Sequence, residues 1–387
     1  MLLIETTDWI ALNTFKNLVL SQTNFIERIN MFKTIILLFL IPTFLLAQKP
    51  TLKQKIGQMI LIGLPTNVVD TNSVFYNDIR QGNAGGITMY ERHLTPNDAA
   101  ANLQKLITAY QKVAPVPLFV SITQEGGIVN RLKPKYGFPQ MPSAQYLGSL
   151  SNTDSTKWYS DNIAYTLSRL GINVNFAPVL DIYMPTNPVL GSRERTFSTN
   201  TDIITMHAVE VIKSHRYFGV GTVVKHFPGH GSSTEDSHLG MTDVSTTWKQ
   251  SELAPYRSLL KQGMVQAVMT AHIVNKNLDA SMLPATLSKK VITGLLRQQL
   301  GFNGVIISDD MHMKAITSEY GLKEAVTLAI NASVDVLLFS GNSEAVSSAG
   351  ELVSLISALV KEGKIKEQRI EEAYRRIMKM KKEINLQ

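Results

Sequence analysis

A chain of 387 residues, of which 44% are apolar and 18% charged, has the composition of a folded globular protein, which excludes a mainly disordered chain. The absence of cysteine excludes disulfides, thiolate metal sites and a lipid-modified cysteine, although it does not distinguish cytoplasm from periplasm. The net charge of +7 favours anionic ligands in general, but we find no Lys/Arg run interleaved with aromatic residues and expect no nucleic-acid partner.

The chain carries a short apolar run near its start, TIILLFLIPTFLLA, which ends at Ala47. Its 14 residues fall short of the roughly 20 that a membrane-spanning helix needs, and Pro42 interrupts it. A positive start, a short apolar core and a small final residue predict a signal peptide over residues 31–47. An uncleaved anchor stays open as the alternative, because Leu45 is a poor residue three positions before the cleavage site.

Residues 1–30 lack the positive character of a signal start, because their acidic side chains offset the basic ones. We interpret them as an upstream extension, with Met31 as the true start. The mature chain is then expected to be periplasmic or secreted, without stable insertion in a membrane after signal cleavage. We place its single domain at residues 51–387.

Eight apolar runs recur along this domain, each followed by a stretch long enough for a helix. Continuous rather than alternating hydrophobicity is typical of strands that are buried on both faces. Eight such strands separated by helices predict an α/β fold, a single-domain (β/α)₈ TIM barrel. The predicted strands are Gln58–Leu64, Gly85–Glu91, Pro117–Thr123, Val174–Ile182, Gly221–Phe227, Ala267–Val274, Gly304–Asp310 and Asp335–Gly341.

Helical patterns occupy several intervals between these runs, and Gly219 is placed to end one of them. In the last interval, apolar residues at helical spacing predict a final packing helix with a solvated charged face, and we expect no second domain after it. The helical intervals are Asn97–Ala114, Thr201–Gly219, Glu324–Ser333 and the terminal stretch that contains Ile365, Ile370, Ala373 and Ile377.

Polar side chains gather at the carboxyl ends of the predicted strands, where the loops of a barrel meet and where such folds carry their chemistry. This pattern supports the barrel and places a functional site at that end. The residues concerned are Gln124, Glu125, Asp181, Lys225, His226, His272, Asp309 and Asp310.

The densest polar segment is VVKHFPGHGSSTEDSHLG, from Val223 to Gly240. Its apolar start predicts a strand, and Pro228 with the glycines after it predicts a loop. Because extended residues two apart point the same way, we expect Asp236 to lie beside the imidazole of His238. A carboxylate in that position fixes the tautomer and raises the basicity of an acid/base histidine.

His226 and His230 form an H-x-x-x-H pattern, which on a helix would place both side chains on one face as zinc ligands. Pro228 and Gly229 lie between them, so the segment is not helical and that geometry fails. No H-E-x-x-H motif is present, and we expect neither a metal site nor a cofactor.

The segment KHFPGHG followed by DSH, with SDD downstream, resembles glycoside hydrolase family 3, and within it the β-N-acetylglucosaminidases that act on peptidoglycan fragments. The similarity runs from about Thr51 to the end of the chain. The resemblance implies that Asp309 is the nucleophile, that His238 is the acid/base and that Asp236 is its partner. We interpret Asp310 as the N-cap of the helix that follows.

The resemblance also implies a set of substrate contacts. Lys225 and His226 are expected to donate hydrogen bonds to sugar hydroxyls. QEGGIVNR resembles the family's loop after the third strand and assigns a contact to Arg131, whereas NPVLGSRERTFS resembles the loop after the fourth and assigns one to Arg195, with Arg193 as the weaker candidate. His230 is interpreted as a structural loop histidine, and His272 and His312 are interpreted as satisfied polar groups at strand ends.

Two positions depart from the family's pattern. Thr123 stands where the family usually has an acid before QEGG, and Ile128 stands where it usually has an arginine after the two glycines. A neutral hydroxyl forms weaker hydrogen bonds to sugar hydroxyls than a carboxylate does, so we expect an altered substrate pocket.

The sequence therefore predicts a retaining glycosidase that acts on a carbohydrate substrate. We expect it to release β-linked N-acetylglucosamine from the non-reducing end of peptidoglycan or chitin-type fragments through a glycosyl–Asp309 intermediate. A β-glucosidase or β-xylosidase of the same family stays open as an alternative, although those enzymes typically take their acid from an added C-terminal domain. A non-catalytic sugar-binding barrel is the other alternative, which Thr123 and Ile128 favour.

Overall fold

The structure, a computed structural model, describes residues 49–150, 152–340 and 348–384. In these ranges eight parallel strands close into a barrel in which neighbours along the chain are neighbours in space. The predicted (β/α)₈ barrel is confirmed. Its strands are β1 Ile60–Gly63, β2 Gly86–Met89, β3 Phe119–Ile122, β4 Val174–Asn175, β5 Gly221–Phe227, β6 Ala267–Thr270, β7 Val305–Asp310 and β8 Val336–Phe339.

The barrel is closed by pairing between its first and last strands. In β1, Ile62 lies opposite Ile87 of β2, while Leu61 lies opposite Leu338 of β8. The strands are buried along their whole length except at the end of β7, where the backbone reaches an opening. This burial on both faces explains why the sequence reads as unbroken apolar runs.

Helices cover the outside of the barrel, and the predicted helical intervals are confirmed within two residues. A helix of π type, Lys290–Gln299, joins β6 to β7. The α-helices are α1 Leu52–Gln58, α2 Val74–Arg80, α3 Ala99–Val113, α4 Ala144–Gly148, α5 Asp154–Leu170, α6 Thr201–Tyr217, α7 Ala254–Lys261, α8 Lys314–Thr317, α9 Leu322–Ala332, α10 Ala349–Lys361 and α11 Glu367–Glu383.

Two strands end four or more residues before their predicted ends, whereas the others end within two residues of them. The fourth ends at Asn175, because Pro178 has no N–H to donate to the ladder, although the chain stays beside β5 through Leu180. The sixth ends at Thr270, and the residues after it form a separate strand, Ile273–Val274, which pairs with Thr242–Asp243. That small sheet joins the loop after β5 to the loop after β6.

A buried lysine closes the amino-terminal end of the barrel. Lys381, on α11, is 1% exposed, and its Nζ lies 2.7 Å from Gln58 Oε1, 2.9 Å from Gly85 O and 2.6 Å from Pro117 O. Three acceptors match the three N–H donors of an ammonium group. Because these acceptors lie just before β1, β2 and β3, the lysine fastens the last helix to the starts of three strands.

A buried carboxylate at the same end collects three arginines. Asp335, the residue before β8, is fully buried and lies 2.5 Å from Arg297 Nη2, 2.6 Å from Arg369 Nη2 and 3.1 Å from Arg376 Nη1. It also accepts a hydrogen bond from the N–H of Ile306. The cluster therefore binds β7, β8, the π-type helix and α11 together, far from the carboxyl ends of the strands.

Within the described ranges, no helix has both the length and the apolar character needed to cross a membrane. The predicted upstream extension at 1–30 and signal peptide at 31–47 lie outside the described residues.

Candidate active site

A cavity of about 220 Å³ lies where the carboxyl ends of the strands meet. Every predicted site residue lines this cavity except Asp236, which is hydrogen-bonded to His238. The predicted site residues in the wall are Asp309, His238, Lys225, His226, Arg131 and Arg195. The cavity also has apolar lining residues: Val129, Phe176, Val189, Met269, Met313 and Leu338.

Asp309 enters the cavity from the end of β7. Burial opposes ionisation of its carboxyl group, but the charges of His272 and His226 outweigh burial, and the pKa lies below the ordinary value of an aspartate. The N–H of Asp310 also donates to Asp309 Oδ1 at 2.8 Å. The carboxylate is therefore ionised near neutral pH, as a nucleophile must be.

Asp310 does not have the role that the sequence predicted. Helix α8 begins at Lys314 and its N-cap is Met313, so the interpretation of Asp310 as a helix cap is wrong. Its carboxylate instead accepts hydrogen bonds from the N–H and hydroxyl of Ser340 and from the N–H of His312. Asp310 joins the ends of β7 and β8 and lies too many residues before α8 to reach its free N–H groups.

A buried ion-pair network forms one side of the cavity. Glu125 Oε1 lies 2.6 Å from Lys225 Nζ and 2.8 Å from Arg195 Nη2, while its Oε2 lies 2.9 Å from Arg195 Nε. Burial opposes the charge of Glu125, but the two cations outweigh it and hold the pKa well below its usual range. The sequence identified both cations but not their shared partner Glu125, which binds Arg195 through two oxygens and Lys225 through one.

A second buried carboxylate holds the ring of His226. Asp181 Oδ2 lies 2.6 Å from His226 Nδ1, and its Oδ1 accepts the N–H of His230 at 2.7 Å. Burial opposes ionisation of Asp181, yet the charge of His226 and these hydrogen bonds keep its pKa below the ordinary value. His226 Nδ1 is thus hydrogen-bonded to Asp181. The other ring nitrogen, Nε2, lies 3.5 Å from Arg195 Nη2 in the wall of the cavity.

His238 lies on the loop after β5, and its side chain is 56% exposed. Asp236 Oδ1 accepts hydrogen bonds from His238 Nδ1 at 2.7 Å and from His238 N at 2.8 Å. The predicted contact is present, but a tight turn makes it rather than an extended segment. Burial opposes ionisation of Asp236, but these hydrogen bonds outweigh the effect of burial and hold the pKa of Asp236 below its ordinary value. Among the described residues His238 Nε2 has no hydrogen-bond partner, and the side chain lines the cavity.

The family model for the glycosyl hydrolase family 3 N-terminal domain matches residues 51–380. The chain belongs to glycosyl hydrolase family 3. The resemblance that the KHFPGHG, DSH and SDD segments suggested is therefore confirmed.

Family 3 relatives show both sequence and structural similarity to this chain. It is 32% identical over 269 residues to a β-hexosaminidase of Tolumonas auensis, which covers 68% of the chain and 78% of the relative. It is 30% identical over 299 residues to β-hexosaminidase A of Pseudoalteromonas piscicida, covering 70% of the chain and 48% of that relative. A family 3 β-N-acetylglucosaminidase structure from Paenibacillus superposes with a TM-score of 0.79 at 35% identity, covering 87% of this chain and 63% of that one.

Two of the three histidines that were interpreted as structural make hydrogen bonds through both ring nitrogens. His230 Nδ1 lies 2.6 Å from Ser233 Oγ and its Nε2 lies 3.0 Å from Ser237 Oγ. His272 Nδ1 contacts Thr286 Oγ1 at 2.8 Å and its Nε2 contacts a backbone oxygen. His312 differs, because its buried Nδ1 has no hydrogen-bond partner in the described ranges, so its interpretation as a satisfied polar group is wrong.

No group of three or more histidine, aspartate or glutamate side chains in the described ranges is arranged to hold a metal ion. The ring centroids of His226 and His230 lie 5.9 Å apart, and the two rings bind different partners. The two histidines of the H-x-x-x-H pattern therefore make separate contacts within the protein.

Three polar residues of the cavity wall were not assigned by the sequence: Tyr90, Ser237 and Ser340. Tyr90 follows β2 and lines the cavity, where burial raises the pKa of its phenol far above the ordinary value and keeps it a neutral donor. Ser340 follows β8 and also lines it. Arg131 is in the wall as expected, with a buried Nε that has no partner in the described ranges. Thr123 is in the wall as well, whereas Ile128 is 57% exposed and outside it.

Proposed function

We propose that this family 3 protein hydrolyses β-linked N-acetylglucosamine from the non-reducing end of peptidoglycan or chitin-type fragments. The observation that carries the proposal is that an ionised Asp309 and the Asp236–His238 pair meet at one cavity. Glycoside hydrolysis needs a negative group at the anomeric carbon and a proton for the leaving oxygen, and these two features supply them. The hexosaminidase relatives support the choice of sugar.

In the first step the Asp309 carboxylate attacks the anomeric carbon while the bond to the leaving oxygen breaks. The His238 imidazolium transfers a proton to that oxygen, and Asp236 stabilises the charged ring before the transfer. In the second step neutral His238 removes a proton from water, the water oxygen attacks the anomeric carbon and Asp309 is released. Two displacements retain the β configuration. Mass spectrometry of peptides after reaction with an activated fluorinated substrate would locate the glycosyl–aspartate.

Hydrolysis of a panel of aryl β-glycosides tests the assignment against its alternatives. We expect turnover of the N-acetyl-β-glucosaminide, with much slower turnover of the β-glucoside and β-xyloside. The reverse preference would favour a β-glucosidase or β-xylosidase. Binding of N-acetylglucosamine without turnover of any substrate would favour a sugar-binding barrel.

The proton donor is tested by His238→Ala. We expect kcat on substrates with poor leaving groups to fall about 10²-fold or more, and kcat on activated aryl glycosides to change far less, because only the former need protonation. Asp236→Ala serves as the matched comparison and should show the same pattern in a milder form. Equal losses on both kinds of substrate would remove His238 from the acid role.

The departure at Thr123 gives a test of the pocket. Glu125 and Asp181, two buried acids beside the cavity residues, already accept hydrogen bonds from side chains and backbone of the protein. Thr123→Asp would add a free carboxylate to the cavity wall, and charge-assisted bonds to sugar hydroxyls should raise kcat/KM on an aryl N-acetyl-β-glucosaminide about tenfold. The neutral Thr123→Asn should give a smaller gain. A clear loss with Asp would show a pocket built for a different group.

We also propose that the mature protein is periplasmic or secreted, on the strength of the signal-like run at 31–47. Amino-terminal sequencing of the protein recovered from each cell fraction would test this. A mature start near Gln48 outside the cytoplasm supports cleavage, whereas an intact run in the membrane fraction supports the anchor.

A further inference from the structure

The loop that carries His238 has a buried base. Asp181 accepts the N–H of His230, and the Asn187 side-chain amide donates to His230 O at 2.8 Å and Gly231 O at 3.0 Å. From the other side, Glu252 accepts the N–H of Gly231 at 3.0 Å and a hydrogen bond from a serine hydroxyl. The base of the loop is therefore fixed by side chains from two different segments.

Glycine is required at one point of this base. Gly229 has a φ of +118°, and a Cβ there would lie 2.6 Å from Glu252 Cβ and 2.7 Å from its Oε2. The chain can pack this closely against Glu252 only without a side chain. The base thus has little freedom to move, and it supplies a rigid point of attachment for the rest of the loop.

The acid/base pair lies beyond this base, on an exposed tip. The side chains of Asp236 and His238 are 21% and 56% exposed, and they bind each other. Ser237 between them is 2% exposed, and its hydroxyl lies 3.0 Å from His230 Nε2. Within the described part of the chain, Ser237 Oγ makes this one hydrogen bond, and the bond joins the tip of the loop to its base.

His230 is well placed to hold the tip. Its backbone is bound by Asp181 and Asn187, and its other ring nitrogen lies 2.6 Å from Ser233 Oγ. Burial lowers the pKa of His230 to about 4, so the ring is neutral near pH 7. A neutral imidazole has one donor and one acceptor, and a serine hydroxyl can serve as either. Both ring contacts are therefore satisfied in either tautomer.

We propose that His230 and Ser237 are positioning residues for the acid/base pair. Their hydrogen bond fixes the residue between Asp236 and His238 to the rigid base of the loop, and it thereby holds the His238 ring at the cavity. This inference rests on the proposed function, because it assumes that His238 delivers the proton. It also gives a physical reason why the middle residue of the DSH segment carries a hydroxyl group.

Ser237→Val and Ser237→Thr form the matched test, because valine and threonine have nearly the same shape and differ in the hydroxyl. We expect Ser237→Val to lower kcat on a poor leaving group about 10- to 100-fold, with little change in KM and a loss of less than about threefold on an activated aryl glycoside. Ser237→Thr should restore the leaving-group profile of the wild-type protein. Ser237→Ala, which adds no methyl group, should behave as Val does.

The outcomes separate this inference from the proposed function. Equal kcat for the Val and Thr variants would overturn the positioning role, because the hydroxyl would then not matter. Equal losses on both kinds of substrate would also overturn it, because a purely structural defect does not depend on the leaving group. If His238→Ala shows the leaving-group dependence and Ser237→Val and Ser237→Ala do not, the tether is wrong and the acid role stands. If His238→Ala shows no leaving-group dependence, both the acid role of His238 and the positioning role of Ser237 are wrong. Melting temperatures of all variants identify any that are unfolded.

Discussion

Replacing Asp309 by asparagine is expected to lower kcat roughly 10⁴-fold or more while leaving the melting temperature close to that of the wild-type protein. Asparagine keeps the shape of the side chain and can still accept the N–H of Asp310 at 2.8 Å, but its amide cannot form a glycosyl ester. The measurement is the turnover of an activated aryl N-acetyl-β-glucosaminide, for which protonation of the leaving group is not limiting.

The neighbouring acid supplies the control. Asp310→Asn removes part of the link from Asp310 to Ser340 and the N–H of His312, so it should lower stability by about 1 kcal/mol and reduce turnover only modestly. This loss comes from the junction of β7 and β8 and not from a helix cap. An inactive Asp310→Asn beside an active Asp309→Asn would reverse the assignment of the nucleophile.

The largest loss of stability is expected from Asp335→Ala. The substitution leaves Arg297, Arg369 and Arg376 without the carboxylate that lies within 3.1 Å of each, and the first two guanidinium groups are about nine-tenths buried. Removing one partner from a buried ion cluster costs about 3–5 kcal/mol. The free energy of unfolding in urea measures the loss. Because Asp335 is at the amino-terminal end of the barrel, kcat of the folded fraction should stay near the wild-type value.

An exposed ion pair gives the matched control for this experiment. Lys157 and Asp161 lie one helical turn apart on α5, and the lysine side chain is 59% exposed. Lys157→Ala should leave the urea midpoint nearly unchanged, because solvent screens such pairs. A comparable loss in the two variants would mean that the Asp335 cluster contributes no more than a surface pair does.

The barrel was predictable from the sequence because its main signal is local. Strands buried on both faces must be apolar along their length, and the polar residues after them mark the end where loops meet. Lys225, His226 and Asp309 could be assigned to one site for that reason. Their roles came from the order of two short motifs, which is also a local property of the chain.

The partners of these residues were not predictable, because the contacts join distant parts of the chain. His226 is 45 residues from Asp181, and Arg195 is 70 residues from Glu125. An aspartate after an apolar run predicts a site but does not show which side chain it binds. Which partner it has depends on how neighbouring strands are aligned, and on loops whose conformation has no periodic signal.

Local sequence preferences also gave wrong predictions at two places. Asp310 fits the preference for an acid at a helix N-cap, but the chain makes a turn first and α8 begins later. The segment Val174–Ile182 has strand composition throughout, but Pro178 ends its ladder early. In both cases the sequence predicted the type of element correctly but not the residue at which that element begins or ends.

The first and last helices of the barrel meet at the end opposite the cavity. Lys55 on α1 lies 2.6 Å from Glu371 on α11, and Gln58 at the end of α1 binds Lys381. Because the end of α11 lies beside the end of α1, a linker long enough to run back along α1 could join the two ends of the barrel in a circular permutant, with new ends opened at the exposed turn around Gly263. The same geometry means that attachment of the barrel to a solid support through either helix would leave the cavity facing the solution.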